Sequence, residues 1–366
     1  MELKNSVGLD DGENTLRSIM NKSSAYLIIK NGGCDFELSH IPDGVSVYGG
    51  DKEGELIKNI LSDQFHSVAK DDSTCHLLVE CDSSLILDEP LYIIFVDSDE
   101  DDREKVYRNF YLLKEGAEIT IIEKQLSNLE NKKPQTLSLF SSWFLEKNAS
   151  LMYYGFELPN KVLDYSINNS IIIRQMENSS CSFFTFYWEQ GVTNNEIEVF
   201  LDGEFAACKL YSASLLLNST IVNNSVKMNH NSPNCESVQL YKGVYNDQSS
   251  SQFNSLVYVE KDAQKTSSVQ QNNNIMLSDY ASVKSNPQLE IFADDVKCAH
   301  GSTTGQIDPN ALFYLQSRGI GKDAGIAILL QSFLGDVVNE VSNLELKDLV
   351  LNEFNKILNV NHYYEL

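Results

Sequence analysis

Between residues 75 and 260, short runs rich in branched and aromatic residues follow one another with polar breaks between them. They include "HLLVE" at 76, "LYIIFV" at 91, "ITIIEK" at 119, "SLMYYGFEL" at 150, "SIIIRQ" at 170, "SFFTFYW" at 182, "EIEVFL" at 196, "CKLYSASLLL" at 208 and "SLVYVE" at 255. Such runs predict strands, and so many in sequence predict a mainly β fold. Many begin at a small or polar group: "GAEIT" at 116, "NASL" at 148, "SSCSF" at 179, "EFAACKL" at 204, "NSTIV" at 218, "NCESV" at 234, "DAQKT" at 262 and "YASVK" at 280. Their spacing is about 13 to 18 residues late in the chain and about twice that earlier, a loose period that suits a β-solenoid of stacked coils. A sandwich rarely needs so many strands. The tract "QQNNN" at 270–274 fits stacking too, because Asn side chains bond from coil to coil, although a polar loop explains it equally well.

The period changes after residue 306. In "QIDPNALFYLQSRGIG" Asp308 is a good N-cap, Pro309 takes the first helical position, and Gly319 or Gly321 ends the helix. The next segment sets Ile326, Leu329, Leu330, Phe333, Val337 and Val341 on one helical stripe, and "LKDLVLNEFNKIL" repeats the pattern with Leu346, Leu349, Val350, Phe354 and Ile357. The chain therefore divides into a short amino-terminal region of mixed structure (1–74), a solenoid core (75–306) and a small carboxyl-terminal helical domain (307–366). In the first region, "NTLRSIMNKSSAYLIIK" at 14–30 reads as a short helix passing into a strand that ends at Asn31-Gly32-Gly33.

Composition narrows the function. The chain has 366 residues, 42% of them apolar and 10% aromatic, so its core is ample. A formal charge of −24 and the lack of any dense cluster among 28 basic residues argue against nucleic acid. No apolar run approaches the length of a membrane span and the first residues lack a signal pattern, so a cytoplasmic protein is expected. Seven cysteines, at 34, 75, 81, 181, 208, 235 and 298, include no C-x-x-C pair and suit reduced thiols. The sequons at Asn148, Asn178 and Asn218 are then not glycan sites.

Candidate chemistry concentrates in "ADDVKCAHG" at 293–301. Cys298 and His300 stand two apart on an expected strand, so both face the same way and offer thiolate and imidazole, ligand types suited to iron, zinc and iron–sulfur clusters. Two ligands furnish only part of a site. A buried thiol and a hydrogen-bonded histidine explain the pair as well. Upstream, Asp294 and Asp295 raise a rival, a carbohydrate-active β-helix enzyme with paired carboxylates beside a His; consecutive strand residues face opposite ways, which weighs against it.

Other patterns carry less. The acidic run 97–102 lacks the Gly and the terminal Glu of a calcium loop. "HNSPNC" with His230 and Cys235 reads as a turn, and "GIGKDAG" has the wrong spacing for a phosphate loop.

Residues 262–320 resemble the SufD branch of the SufB/SufD family of SUF iron–sulfur cluster assembly proteins. The resemblance rests on "QKT" at 264, "NNN" at 272, "PQLEIFADDVKCAHG" at 287 and "LFYLQSRGI" at 312, with weaker likeness in "YLIIKNGGCDFELSHIPDGVSV" at 26 and "QLYKGV" at 239. It implies a right-handed parallel β-helix followed by helices, acting as a non-catalytic scaffold. It also implies pairing with SufB through the β-helix and binding of the SufC ATPase, the source of ATP turnover, through the helices. By position, His300 and Cys298 match the family's cluster-assembly pair at the SufB interface, where an iron–sulfur cluster or iron is held transiently and no cofactor is bound tightly by this chain alone. The ATPase surface falls on Phe313, Tyr314, Arg318, Ile326, Leu330 and Phe333. A homodimer through the β-helix edge is the corresponding expectation for the chain in isolation.

Overall fold

The apolar runs become strands and the small residues between them become corners. The computed structural model describes residues 23, 25–30, 33–49, 76–97, 105–127, 135–157, 165–188 and 191–358. The helix expected before residue 23, Cys75, and the acidic run beyond Asp97 lie outside the described residues. The strands are β1 (Tyr26–Lys30), β2 (Gly33–Cys34), β3 (Val45–Gly49), β4 (His76–Cys81), β5 (Leu91–Asp97), β6 (Lys105–Leu113), β7 (Glu118–Ser127), β8 (Gln135–Leu145), β9 (Ser150–Glu157), β10 (Tyr165–Gln175), β11 (Ser180–Trp188), β12 (Val192–Leu201), β13 (Ala207–Leu216), β14 (Ile221–His230), β15 (Glu236–Tyr245), β16 (Ser250–Val259), β17 (Ser267–Met276), β18 (Ser282–Ile291) and β19 (Lys297–Gly305).

These strands wind into a β-solenoid of about seven turns. Each coil gives one strand to each of two sheets, so that β5, β7, β9 and the later odd strands through β19 stack in parallel in one, and β4 through β18 in the other. The amino-terminal strands join the same sheets, β1 parallel to β5 and β3 antiparallel to β4. β1, β2 and β3 thus extend the sheets upstream of position 75, where the strand-rich pattern begins in the sequence.

One corner recurs at Ser84, Gly116, Asn148, Asn178, Phe205, Asn234 and Lys265, all with positive φ. At this corner the N–H of each residue donates to a carbonyl of the next coil, as from Asn148 to Glu177 (3.0 Å), Asn178 to Glu204 (2.8 Å) and Asn234 to Gln264 (2.9 Å). At six of these seven corners the residue that follows turns into the narrow interior of the bend and is small and buried: Ala117, Ala149, Ser179, Ala206, Cys235 and Thr266; after Ser84 it is the half-buried Leu85. The steric need for a small group there produces the loose sequence period. Its shorter spacing is half a coil and its longer spacing a whole one. Asn148, Asn178 and Asn218 are such left-handed corner residues, the conformation in which Asn is strained least among residues with a Cβ.

In-register stacking brings like side chains together. Tyr111 lies over Trp143 (3.7 Å between ring centroids) and Tyr153 over Phe183 (3.8 Å) inside the solenoid. Asn168, Asn194 and Asn223 form an amide ladder, as do Asn169, Asn195 and Asn224, with bonds of 2.8–3.0 Å. The "QQNNN" tract is part of β17 and not a loop: Asn273 accepts from the Thr303 hydroxyl of β19 at 3.0 Å.

Three helices follow, α1 (Pro309–Ser317), α2 (Lys322–Val338) and α3 (Leu344–Ile357). Asp308 caps α1 by accepting from the Asn310 N–H at 2.9 Å, and Gly319 at φ +87° ends it. Leu330, Leu334, Val337 and Val338 of α2 and Leu346, Val350 and Phe354 of α3 are buried against the outer face of the odd-strand sheet, on Phe156, Phe186, Trp188 and Leu215. The stripe expected from the sequence is rotated, since Leu334 and Val338 are buried while Ile326, Leu329 and Phe333 are half-buried. Each fully buried side chain of this kind contributes about 1.5–3 kcal/mol, so apolar burial, not the surface ion pairs, holds the helices on the sheet. Among the described residues no helix is long and apolar enough to cross a membrane.

Candidate functional site at the open end of the solenoid

β18 and β19 pair with the preceding coil on one side only, so each is the last strand of its sheet. Cys298 and His300 both lie on β19. In parallel register Cys298 stands opposite Ser268, which stands opposite Ser237 and then Cys208 and Cys181. Likewise His300 stands opposite Gln270, and Gln270 opposite Gln239. Ser237, Ser268, Gln239 and Gln270 are buried, which identifies both rows as inward-facing. The two candidate ligands therefore occupy interior rows of the final coil, with no further coil above them among the described residues.

That position explains their different environments. Cys298 is half-buried and packs on the solenoid core beside Val296 and Leu289. Burial pushes its thiol above the ordinary value, opposed by a hydrogen bond from the Ser268 backbone. His300 is exposed. Beneath it lies an amide and hydroxyl network in which Gln270 donates to the Ser255 hydroxyl, which in turn donates to Gln239 Oε1 at 2.7 Å. The same open end carries Ser302, whose hydroxyl donates to Ser285 of β18 at 2.8 Å, so hydrogen bonding links the two sheets there.

The donor set is small. Among the described residues no group of three or more His, Cys, Asp and Glu side chains gathers as a metal site. Cys298 and His300 offer two ligands on one strand, fewer than a cluster or an iron atom needs.

Asp294 and Asp295 are exposed at the corner that precedes β19. Their backbone serves the coil stack: the Asp295 carbonyl accepts from the Lys265 N–H at 2.6 Å and its N–H donates to Gln264 Oε1 at 3.0 Å. The pair makes the bend. His230 and Cys235 flank another corner, as a turn: the His230 Nε2 bonds the Ser237 hydroxyl at 2.8 Å, and the Cys235 thiol donates to the Gly203 carbonyl at 3.2 Å.

The six residues of the helical domain fall into three settings. Phe313 and Tyr314 of α1 are 71% and 58% exposed, and the Arg318 guanidinium lies 5.1 Å from the Tyr314 ring centre. Leu330 is fully buried and holds α2 to the solenoid, so its side chain is not offered to a partner. Ile326 and Phe333 lie between these extremes, and the Lys242 ammonium sits 4.4 Å over the Phe333 ring. α1 buries none of its side chains and rests on α2, where Gly325 leaves room for Leu312: a Cβ there would approach the Leu312 methyl to 2.9 Å.

Sequence reasoning missed the polar seam that fixes the helices to the solenoid. Lys242 of β15 is buried and paired with Asp336, Tyr211 donates to Glu340 at 3.1 Å, and the Tyr154 hydroxyl meets Ser342 at 3.2 Å. The charged Lys242 inside the apolar run of β15 was the one available signal.

Residues 95–333 match the family model described as SUF system FeS cluster assembly, SufBD core domain. The chain is 31% identical over 245 residues to the iron–sulfur cluster assembly protein SufD of Escherichia coli, covering 67% of this chain and 57% of that protein. It is 27% identical over 232 residues to the SufD of Bacillus subtilis (62% and 51%) and 26% identical over 336 residues to the chloroplastic protein ABCI7 of Arabidopsis thaliana (87% and 70%). The match spans little more than half the length of the two bacterial relatives.

Proposed function

The chain belongs to the SufB/SufD family of the SUF iron–sulfur cluster assembly system, and from that membership we propose that it is a non-catalytic scaffold on which a nascent cluster is held between two chains. The observation that carries the reading is the position of Cys298 and His300 on interior rows of the last coil. Interior rows are ordinarily covered, and two donors are too few for iron. A second chain laid against β18 and β19 supplies both the cover and the missing ligands. A SufB-like chain is the partner that fits, with His300 the accessible ligand and Cys298 its half-buried neighbour.

The helices have a separate part in this proposal. The exposed aromatic pair Phe313 and Tyr314, with Arg318 and the half-buried Ile326 and Phe333, takes the SufC ATPase, so that ATP turnover occurs in trans. Aromatic and Arg side chains are the usual anchors of such contacts. The seam of Lys242, Tyr211 and Tyr154 ties these helices to β15, β13 and β9, a route by which motion of the ATPase reaches the solenoid.

Replacement of His300 by Ala in the assembled complex tests the site. Cluster transfer to a client enzyme should be lost while an ATPase and a SufB-like chain still co-purify. Normal client activity in that variant, or in a Cys298→Ser/His300→Ala double variant, would leave only a structural role for this chain. Recovery of the chain alone under gentle conditions, or only as a homodimer through β18 and β19, would overturn the two-chain scaffold.

A further inference from the structure

The outer face of the odd-strand sheet is apolar where the helices cover it, and one row breaks that pattern. Ile94, Lys124, Phe156, Phe186 and Ala213 stand opposite one another in register across β5, β7, β9, β11 and β13. Lys124 is 94% buried by its 6% exposure, yet its ammonium makes no hydrogen bond and no ion pair among the described residues. A methionine would fill the row without the desolvation cost of a charge.

The lysine lies at the base of a cleft of about 820 Å³ between β5, β7 and α3. Glu345, Asp348 and Glu353 of α3 and Glu89 before β5 line the same cleft, with Pro90, Leu346 and Leu349 as apolar wall. Glu353 is engaged by Lys356 at 2.6 Å and acts on Lys124 only from a distance. Tyr92 also faces in. Burial and the charges of Glu345 and Glu89 hold its phenol protonated, and its hydroxyl has no hydrogen-bond partner among the described residues.

These features select a ligand by chemistry. An ammonium at the base calls for an anionic or carbonyl acceptor, and a plain anion is opposed by the Glu345, Asp348 and Glu89 carboxylates, Glu353 being engaged by Lys356, which lines the cleft as well. A plain cation suits the rim but leaves the base unanswered and is repelled by it. A ligand with both charges, set apart by a short apolar stem, meets the Lys124 ammonium and the Glu345, Asp348 and Glu89 carboxylates together. We propose that this cleft binds a small zwitterion with a basic side chain, of the type of a basic α-amino acid. Its carboxylate accepts from Lys124 and Tyr92, and its cationic groups lie against Glu345, Asp348 and Glu89. Because the cleft is built from the solenoid and α3 together, the ligand also fastens that helix to the sheet.

The test is a calorimetric titration of the full chain with L-arginine and with agmatine, which keeps the guanidinium and the amine but lacks the carboxylate. L-Arginine should bind about tenfold to a hundredfold more tightly, the worth of hydrogen bonds to a charged group. Lys124→Met should remove that preference, and Glu345→Gln with Asp348→Asn should weaken both ligands. Absence of saturable heat from L-arginine at millimolar concentration overturns the proposal. Equal affinity for the two ligands also overturns it, since an acidic surface alone would give that result. The comparison of ligands on the unmodified chain needs no variant, so it decides the matter even if Lys124→Met fails to fold.

Discussion

Cys298 stands directly opposite Ser268 in the parallel register of β17 and β19, as the last rung of a row that runs inward through Ser237, Cys208 and Cys181. The inner thiols are closed off from solvent: Cys208 is held well above the ordinary value by its contact with Cys181 and by burial. Cys298 alone of this row reaches the open end. Its own rise, caused first by burial, keeps it protonated at neutral pH. Alkylation of the folded chain by iodoacetamide should therefore label Cys298 before Cys181, Cys208 or Cys235, with a rate that climbs through a midpoint above that of a free thiol. A midpoint at or below the free-thiol value, read by mass spectrometry of the labelled peptide, would contradict the half-buried placement.

The buried His230 makes the solenoid sensitive to acid. Burial lowers its pKa to about 4, while in the unfolded chain it titrates near the ordinary value of about 6.5. The neutral form is therefore favoured by folding. Its contribution is complete above pH ~6.5, falls as the pH drops toward 4, and is exhausted below that. The difference corresponds to a loss on the order of 3 kcal/mol. His230→Gln keeps a group able to bond the Ser237 hydroxyl but does not titrate. Its urea midpoint should fall less steeply than the parent's between pH 6.5 and 4, and identical slopes would show that His230 is protonated equally in both states.

What the sequence made legible follows the range of the rule concerned. The cap at Asp308, Pro309 in the first turn and the stop at Gly319 are local, and each stands as read. The apolar runs fixed strand identity, and the small residues at 117, 149 and 206 marked corners because most of these bends enclose only a small group. Which neighbours stack is not local. The row from Cys181 to Cys298 joins residues whole coils apart, and coil length varies, so Ser237 and Ser268 looked like ordinary polar strand residues. The helical stripe likewise showed that α2 has an apolar face without showing what covers it. Leu330 is therefore spent on the solenoid. His300 is exposed for a reason visible only in the fold: it sits on an inward row of the coil that ends the stack.

The seam under α2 should be a point where the helices can be loosened without unwinding the coils. Lys242 is buried, pairs with Asp336 and lies over Phe333, so Lys242→Ala removes an ion pair, a cation–π contact and packing at once. A cost of about 1–3 kcal/mol is expected. Hydrogen exchange should rise in 309–357 and stay unchanged in β11 through β17. Uniform acceleration across the strands would mean that the helices and solenoid open as one unit.

The corner stack allows a stabilising change. Phe205 holds φ +63° while its side chain is 55% exposed, so it bears the left-handed strain of a Cβ with little burial in return. The neighbouring corners at 148, 178 and 234 use Asn, and Gly116 occupies the same position without strain. The Phe205 N–H still donates to the Pro233 carbonyl at 3.4 Å, and that backbone bond survives substitution. Phe205→Gly should relieve about 1–2 kcal/mol of strain and lose up to about 1 kcal/mol to the freer unfolded chain, leaving a gain of up to about 1 kcal/mol. Phe205→Asn should gain less, and Asn178→Val should lose stability, since a β-branched residue at φ +58° also breaks the Asn178 bond to Asn148 at 2.7 Å. A thermal midpoint for Phe205→Gly below that of the parent would show that the phenyl ring contributes more than its exposure allows.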